Sequence, residues 1–315
     1  MSSTRGFSEA SAAIVEFLDA QLPMGSWSVT RYDGDSQVHL EVRGDAGIAV
    51  GDSVPWDDSF CRTMVSGATP MITTDAMSVP EYAAAATKLD LRISSYVGIP
   101  IERADGSLFG TICGIDAALH GPELEEHRAM LELMSSLLSG ILEADLEHAE
   151  QARSLELAEL SAERDALTGL FNRRGWDRFV SIEEARLRRF GDPAAVVSID
   201  LDCLKETNDE LGHAAGDDLL TRAAHSLENV VRASDIVARV GGDEFAVLAS
   251  STTFEQAAAL VERLRDGLAA AAVEASLGFA PYTIKLGFDE AWEAADRAMY
   301  DDKRSRRRRR LSEAV

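Results

Sequence analysis

RVGGDEFAVL, residues 239–248, decides the reading of the second half of the chain. Gly241 and Gly242 lead into two adjacent carboxylates, Asp243 and Glu244, and then into an apolar run. Gly-Gly and Gly-Asp form turns between antiparallel strands, so the stretch reads as strand, turn, strand. A hairpin accounts for the glycines. It does not account for two like charges at its exit, and a reason for them has to come from elsewhere in the chain.

AAVVSIDLD, residues 194–202, supplies one. It is a nearly continuous apolar strand ending in acids, and its period of two puts Asp200 and Asp202 on one face. If strand and hairpin are neighbours in one sheet, Asp200 and Asp243 meet at its edge. Two carboxylates about 4 Å apart repel by roughly 4 kcal/mol at an effective dielectric of 20. A divalent cation removes that repulsion, and hard oxygen ligands suit magnesium. Gly241 and Gly242 leave the backbone open to close approach. The turn is therefore expected to hold a metal against a phosphate-bearing substrate. DCLKETNDELGHAAGD follows, residues 202–217. Lys205 can meet phosphate, and Asn208, His213 and Asp217 supply donors and acceptors. An Asp carboxylate can accept from N1 and N2 of guanine while Asn bonds the ring edge. Each of these residues, taken singly, also fits a cap or a surface group.

The chain has 315 residues, 46% of them apolar, enough for two packed domains. A net charge of −23 repels nucleic-acid phosphates, so no nucleic-acid partner is expected. The basic run Lys303, Arg304 and Arg306 to Arg310 is the exception, and such runs are usually solvated ends. Cys61, Cys113 and Cys203 form no CxxC pair, which fits a reduced, cytoplasmic setting without structural zinc. No signal peptide and no apolar run of spanning length is visible, so no membrane partner is expected.

Order along the chain gives the architecture. Residues 7–21 have helical apolar spacing. SWSVTRYDGDSQVHLEV reads as two antiparallel strands, DSFCRTMVSG as a helix, and residues 95–116 as a second strand pair around Asp105-Gly106. From Pro122 to about Arg164 the pattern is helical and longer than an ordinary globular helix, suggesting a two-stranded connector or, as the alternative, one long helix packed on its own domain. Its expected seam is Leu131, Met134, Leu138, Ile141 and Leu142. The third region alternates helix and strand, which is read as a buried sheet with helices on one side.

The stretch from DALTGLFNRR through SIDLDCLKETNDELGHAAGD and RVGGDEF to ADRAMYDDK resembles the GGDEF domain of the diguanylate cyclases, over residues 165–315. The resemblance implies a palm-like nucleotidyl cyclase fold of α/β (α+β) class and the joining of two GTP into cyclic di-GMP with release of two pyrophosphates. It implies that Asp200, the Leu201 carbonyl and Asp243 bind magnesium or manganese. Asn208 and Asp217 would read guanine, with His213 nearby. Lys205, Lys303 and Arg307 would meet the phosphates. Asp243, with Glu244 beside it, would receive the 3′-hydroxyl proton. Asp at 217, where serine marks relatives making mixed cyclic dinucleotides, favours GTP with GTP. The end departs from the family's usual Ala-Lys and Gly-Arg-Asn pattern: Asp302 precedes Lys303 and an arginine run follows. RASD, Arg232 to Asp235, resembles the family's inhibitory product site for cyclic di-GMP. The alternative is a catalytically silent GGDEF module that binds cyclic di-GMP or GTP and signals by contact.

SYVGIPIERADGSLFGTICGID and the helix after it resemble a GAF sensor domain, assigned to residues 1–145, with an antiparallel sheet, helices and an unknown small ligand. The connecting helix, residues 122–164, overlaps its end. Neither Cys61 nor Cys113 precedes a His, so no covalent chromophore is expected, and both read as buried apolar groups. The whole is expected to be a homodimer, since each GGDEF domain holds one GTP and the product joins two.

Overall fold

The computed structural model describes residues 6–89, 92–159 and 163–313, without the side chains of 156–159 and 309–313. The chain divides into two compact units with a boundary after Arg153, the short segment Arg188–Gly191 counting with the first.

The first unit begins with α1 (Phe7–Gln21). The strands are β1 (Ser26–Tyr32), β2 (Ser36–Gly44), β3 (Ser53–Pro55), β4 (Ile72–Thr73), β5 (Ser95–Glu102) and β6 (Leu108–Asp116). They form one antiparallel sheet in the order β3-β2-β1-β6-β5-β4. Short helices α2 (Phe60–Val65) and α3 (Pro80–Ala86) lie between β3 and β5. A single turn, α4 (Glu123–Glu126), precedes α5 (Arg128–Glu159).

The long helix is present but its expected seam is corrected. Leu131, Leu138 and Leu142 are fully buried. On the same side of α5 the Ser135 hydroxyl donates to the Pro100 carbonyl. Ser139 and Glu143 accept from the Glu102 and Ala104 amides at 3.2 and 2.9 Å. That face belongs to the core beside β5. Among the apolar side chains left in solvent are Leu133 and Leu137, each 59% exposed, in line with exposed Gly140 and Ala144, and further along the helix Leu155. The helix also stops earlier than expected. Arg164 is not helical but bridges to Phe171, and residues 160–162 lie outside the described residues.

The second unit contains α6 (Arg173–Phe190), β7 (Ala194–Leu201), α7 (Leu204–Leu211), α8 (His213–Val230), β8 (Ile236–Arg239), β9 (Glu244–Ser250), α9 (Phe254–Ala270), β10 (Ala275–Pro281) and α10 (Gly287–Glu313). Its sheet runs β10-β7-β9-β8, all antiparallel. The sequence marks α9 with a capping box: Thr253 accepts from the Gln256 amide and Gln256 returns to the Thr253 amide.

Every residue of central β7 is buried, because helices cover both faces and not one. Val197, Ile199 and Leu201 pack with α8 and α9 (Leu220, Leu227, Leu264), while Ala194 and Val196 pack with α6 and α10 (Phe179, Phe288, Ala295). Asp200 follows the even positions and so belongs to the side of α10. Gly278 in β10 permits close packing there: a Cβ would stand 2.0 Å from the Met299 nitrogen of α10. No helix among the described residues is long and apolar enough to cross a membrane.

Candidate active site

The site forms at the end of β7, where Asp200 pairs with Glu244 of β9 on one side and with Ser276 of β10 on the other. The Leu201 amide donates to the Asp243 carbonyl at 2.9 Å, which fixes the β8–β9 turn against the strand end. α10 closes the third side. Lys303 Nζ lies 2.6 Å from Asp200 Oδ1, and three residues on Arg306 Nε reaches Asp202 Oδ2 at 3.3 Å. Ser276 Oγ donates to the other Asp202 oxygen at 3.0 Å.

Burial holds the Asp200 carboxyl above the usual carboxylate range. Lys303 pulls it back through hydrogen bond and charge, and the anions Asp243 and Asp202 push it up again. Desolvation alone would depress Lys303. Its hydrogen bond to Asp200 and the charges of Asp200, Asp243 and Asp202 outweigh that and raise it. Asp243 is half-buried and its carboxylate has no hydrogen-bond partner among the described residues. Glu244 is exposed and lies over Gly241, where a Cβ would meet its carboxylate at 2.3 Å. Gly242 is open.

The chain reverses after Asp202 through Cys203, whose φ of 67° is left-handed, and enters α7. Lys205 is exposed there, and Asn208 is half-buried against α8. Asn208 has that place because residue 216 is glycine: a Cβ on Gly216 would stand 2.1 Å from Asn208 Oδ1. His213 opens α8 and Asp217 follows one turn later, both exposed. The structure thus gathers Asp200, Leu201, Asp243 and Lys303 at one strand end and leaves Lys205, His213 and Asp217 as open side chains on α7 and α8. Arg307 is exposed. It is Arg306 that reaches the acidic end. Asp302 is tied elsewhere, to Arg265 at 3.0 Å and to the Leu277 amide on the outer edge of β10 at 3.0 Å.

Arg232 and Asp235 stand just before β8. Asp235 is buried. Its Oδ2 accepts from the Arg232 amide at 2.9 Å, and its Oδ1 has no partner among the described residues. Both line a pocket of about 300 Å³ with Arg164, Phe171, Glu228 and Val237.

One pair of residues has no role in the sequence reading. Arg239 donates to the Gly242 carbonyl at 2.7 and 3.2 Å and to Asp165 at 3.2 Å. Burial would raise the Asp165 carboxyl, but hydrogen bonds from Thr168 and the Arg239 charge bring it below its ordinary value, so it stays ionised. Asp165 belongs to the DALTG stretch, 74 residues before Arg239. The available signal was a charged residue placed two positions before the double glycine.

Residues 162–309 match the family model described as "Diguanylate cyclase, GGDEF domain". A diguanylate cyclase of Pseudomonas aeruginosa, DgcP, is 32% identical over 214 residues, covering 62% of this chain and 32% of its own length. Diguanylate cyclase DgcP of Escherichia coli K12 is 26% identical over 314 residues, covering 94% of this chain and 89% of its own. A crystal structure of a sensory box/GGDEF family protein from Caulobacter crescentus CB15 matches at TM-score 0.41 and 37% identity, over 45% of this chain and 99% of that one. The chain spans 45% and 32% of the length of curated relatives that it matches first. Over residues 162–309 the chain is thus similar to the GGDEF domain of the diguanylate cyclases.

The hold of Arg239 on the Gly242 carbonyl and Asp165 has a measurable consequence. Hydrogen bonds to a charged group contribute about 1.5–3 kcal/mol each, and about 1.4 kcal/mol is tenfold in an opening equilibrium. Arg239→Ala is expected to speed amide exchange at Gly241 to Glu244 by at least about tenfold, while amides at the centre of β7 keep their protection. Unchanged exchange in the turn would show that the turn does not depend on Arg239.

Proposed function

We propose that residues 165–315 act as a diguanylate cyclase: each of two domains holds one GTP, and two GTP become cyclic di-GMP and two pyrophosphates. The observation that carries this reading is the junction at the end of β7, where a buried carboxylate, a second carboxylate without a partner and a lysine converge beside an open glycine.

The residues present fit a divalent cation. Burial, with the charges of Asp243 and Asp202, keeps Asp200 above its ordinary value although Lys303 is bonded to it, so a further cation would be favoured there. Among the described residues no three His, Cys, Asp or Glu side chains come together that could hold an ion. Held by two carboxylates and the Leu201 carbonyl, magnesium would keep further coordination places for substrate phosphates, its usual arrangement. Magnesium or manganese held there would polarise the α-phosphate and the attacking 3′-hydroxyl. Asp243 takes the hydroxyl proton, with Glu244 beside it. The hydroxyl oxygen bonds to the α-phosphorus of the other GTP, pyrophosphate leaves, and the step repeats to close the ring. Lys205 and Lys303 meet phosphate charge, and so does an arginine of α10, Arg306 or Arg307. Asn208 and Asp217 bond the guanine edge, with His213 at the mouth of that site. The intact acid set weighs against a silent module.

Asp243→Asn keeps the turn's shape and removes one anionic ligand and the proton acceptor. Its cyclic di-GMP formation from GTP and magnesium is expected below about a tenth of the parent's, with thermal unfolding unchanged. Retained turnover would remove Asp243 from this role.

Product inhibition is assigned to Arg232 and Asp235. Support comes from the pocket they line and from the unmatched Asp235 oxygen inside it. Arg232→Ala is expected to leave the initial rate nearly unchanged and to straighten progress curves. Curves that still flatten at the parent's product level would refute the assignment.

Residues 1–145 are read as a GAF-type sensor with a small ligand, in a cytoplasmic homodimer. The dimer seam is placed on Leu133, Leu137, Gly140 and Ala144 of α5, whose spacing of four, three and four suits a two-stranded coil with a second copy of this chain. Tethering two acidic domains replaces a dilute encounter by a high local concentration. Leu133→Asp combined with Leu137→Asp is expected to give a monomer by light scattering, with specific activity that rises with protein concentration. A monomer with full, concentration-independent activity would overturn the dimer requirement.

A further inference from the structure

The first unit encloses a cavity of about 40 Å³ between its sheet and α2. A water needs some 10–15 Å³ measured in this way, so the space suits a molecule of two or three heavy atoms. Its wall includes Ser28, Gln37, His39 and Tyr96, together with both buried cysteines, Cys61 of α2 and Cys113 of β6. The two thiols share this wall and one core cluster, and Thr111, which Cys61 contacts, stands two residues before Cys113 on the same face of β6. Cys61 Sγ also lies 3.2 Å from Thr111 Oγ1 and accepts from the Tyr96 hydroxyl at 3.3 Å. His39 is 5% exposed and its Nδ1 has no partner among the described residues.

A cysteine buried only for packing sits among apolar groups and is inert. Here polar groups converge on one sulfur, and donors directed at a sulfur favour its thiolate. The hydrogen bond from Cys113 chiefly lowers Cys61, against burial and with help from Thr111, Tyr96 and Gln37, while Cys113 is pushed well above its ordinary value. The two cysteines are therefore unequal, one suited to attack and the other to follow as a thiol.

We propose that Cys61 and Cys113 form a dithiol that hydrogen peroxide oxidises to an intrachain disulfide inside this cavity. The Cys61 thiolate attacks one peroxide oxygen. The O–O bond breaks, hydroxide leaves, and Cys61 becomes a sulfenic acid. The Cys113 sulfur then attacks Cys61, the S–O bond breaks, and the second oxygen leaves as water with the Cys113 proton. Two thiols and one peroxide give one disulfide and two waters. Disulfide oxidants the size of glutathione are too large for the cavity.

The test uses the full chain with Cys203→Ser, which removes the exposed thiol. The reduced protein is treated with hydrogen peroxide, denatured, alkylated and weighed. The expected product is lighter by two hydrogens, resists alkylation until reduced, and yields a Cys61–Cys113 linked peptide. Glutathione disulfide should form it at least about tenfold more slowly. With Cys113→Ser added, dimedone should mark Cys61. If that variant does not fold, the linked peptide from the parent decides. Thiols that remain alkylatable under peroxide that oxidises free cysteine would overturn the proposal. So would sulfur oxides without a link, or equal rates with glutathione disulfide.

Discussion

The carboxylate of Asp200 is the constraint around which the second unit is arranged. It ends a strand that is buried along its whole length, so its desolvation has to be offset in place. Lys303 offsets part of it, and Lys303 can reach only because α10 lies close on the sheet over Gly278. Two further contacts hold the helix in that position, Arg306 on Asp202 and Asp302 on the outer edge of β10. The offset is incomplete: burial still outweighs it, and Asp243 and Asp202 press on the same point. An anionic cluster only partly compensated at a strand end is a costly arrangement for stability alone.

The turn that carries Asp243 is held from both sides. On the inner side its carbonyl takes the Leu201 amide, and on the outer side Arg239 ties the Gly242 carbonyl to Asp165. The segment from Asp165 to Phe171 also covers the edge strand: Arg239 donates its amide to the Phe171 carbonyl, and Phe171 bridges Ala238. An exposed four-residue edge strand would otherwise present unpaired backbone groups. The same cover that removes this hazard fixes the geometry of the turn.

Much of this was legible from residue order. The strand ending in Asp200, the hairpin around Gly241 and the strand pairs of the first unit all follow from period-two patterning and turn residues. Four things were not. Periodicity along α5 says that Leu131, Leu138 and Leu142 share a face, but not that β5 covers it, so the apolar stripe was assigned to a partner chain. A continuous apolar strand such as β7 has two buried faces, and the pattern does not count the helices above and below it. In the arginine run, Arg306 and Arg307 are both within one turn of Lys303. What selects Arg306 is the position of Asp202 beyond the strand end, a tertiary fact. Likewise Cys61 and Cys113 lie 52 positions apart in the chain, and only the packing of α2 on the folded sheet brings them to one cavity wall.

The short strand β8 joins the two ligand-facing ends of the hairpin. Asp235, with its unmatched oxygen, immediately precedes it, and Arg239, which holds the turn, is its last residue. Four residues at about 3.3 Å each make a strand of roughly 13 Å. Phe171 stands at both ends of this relation: its side chain lines the Arg232 pocket and its backbone pairs with β8 beside Arg239. The Arg232 pocket and the turn that carries Asp243 therefore share Phe171 and β8 as supporting elements. The coupling is one of shared parts, and its strength is set by how rigidly Asp165, Phe171 and Arg239 hold one edge strand.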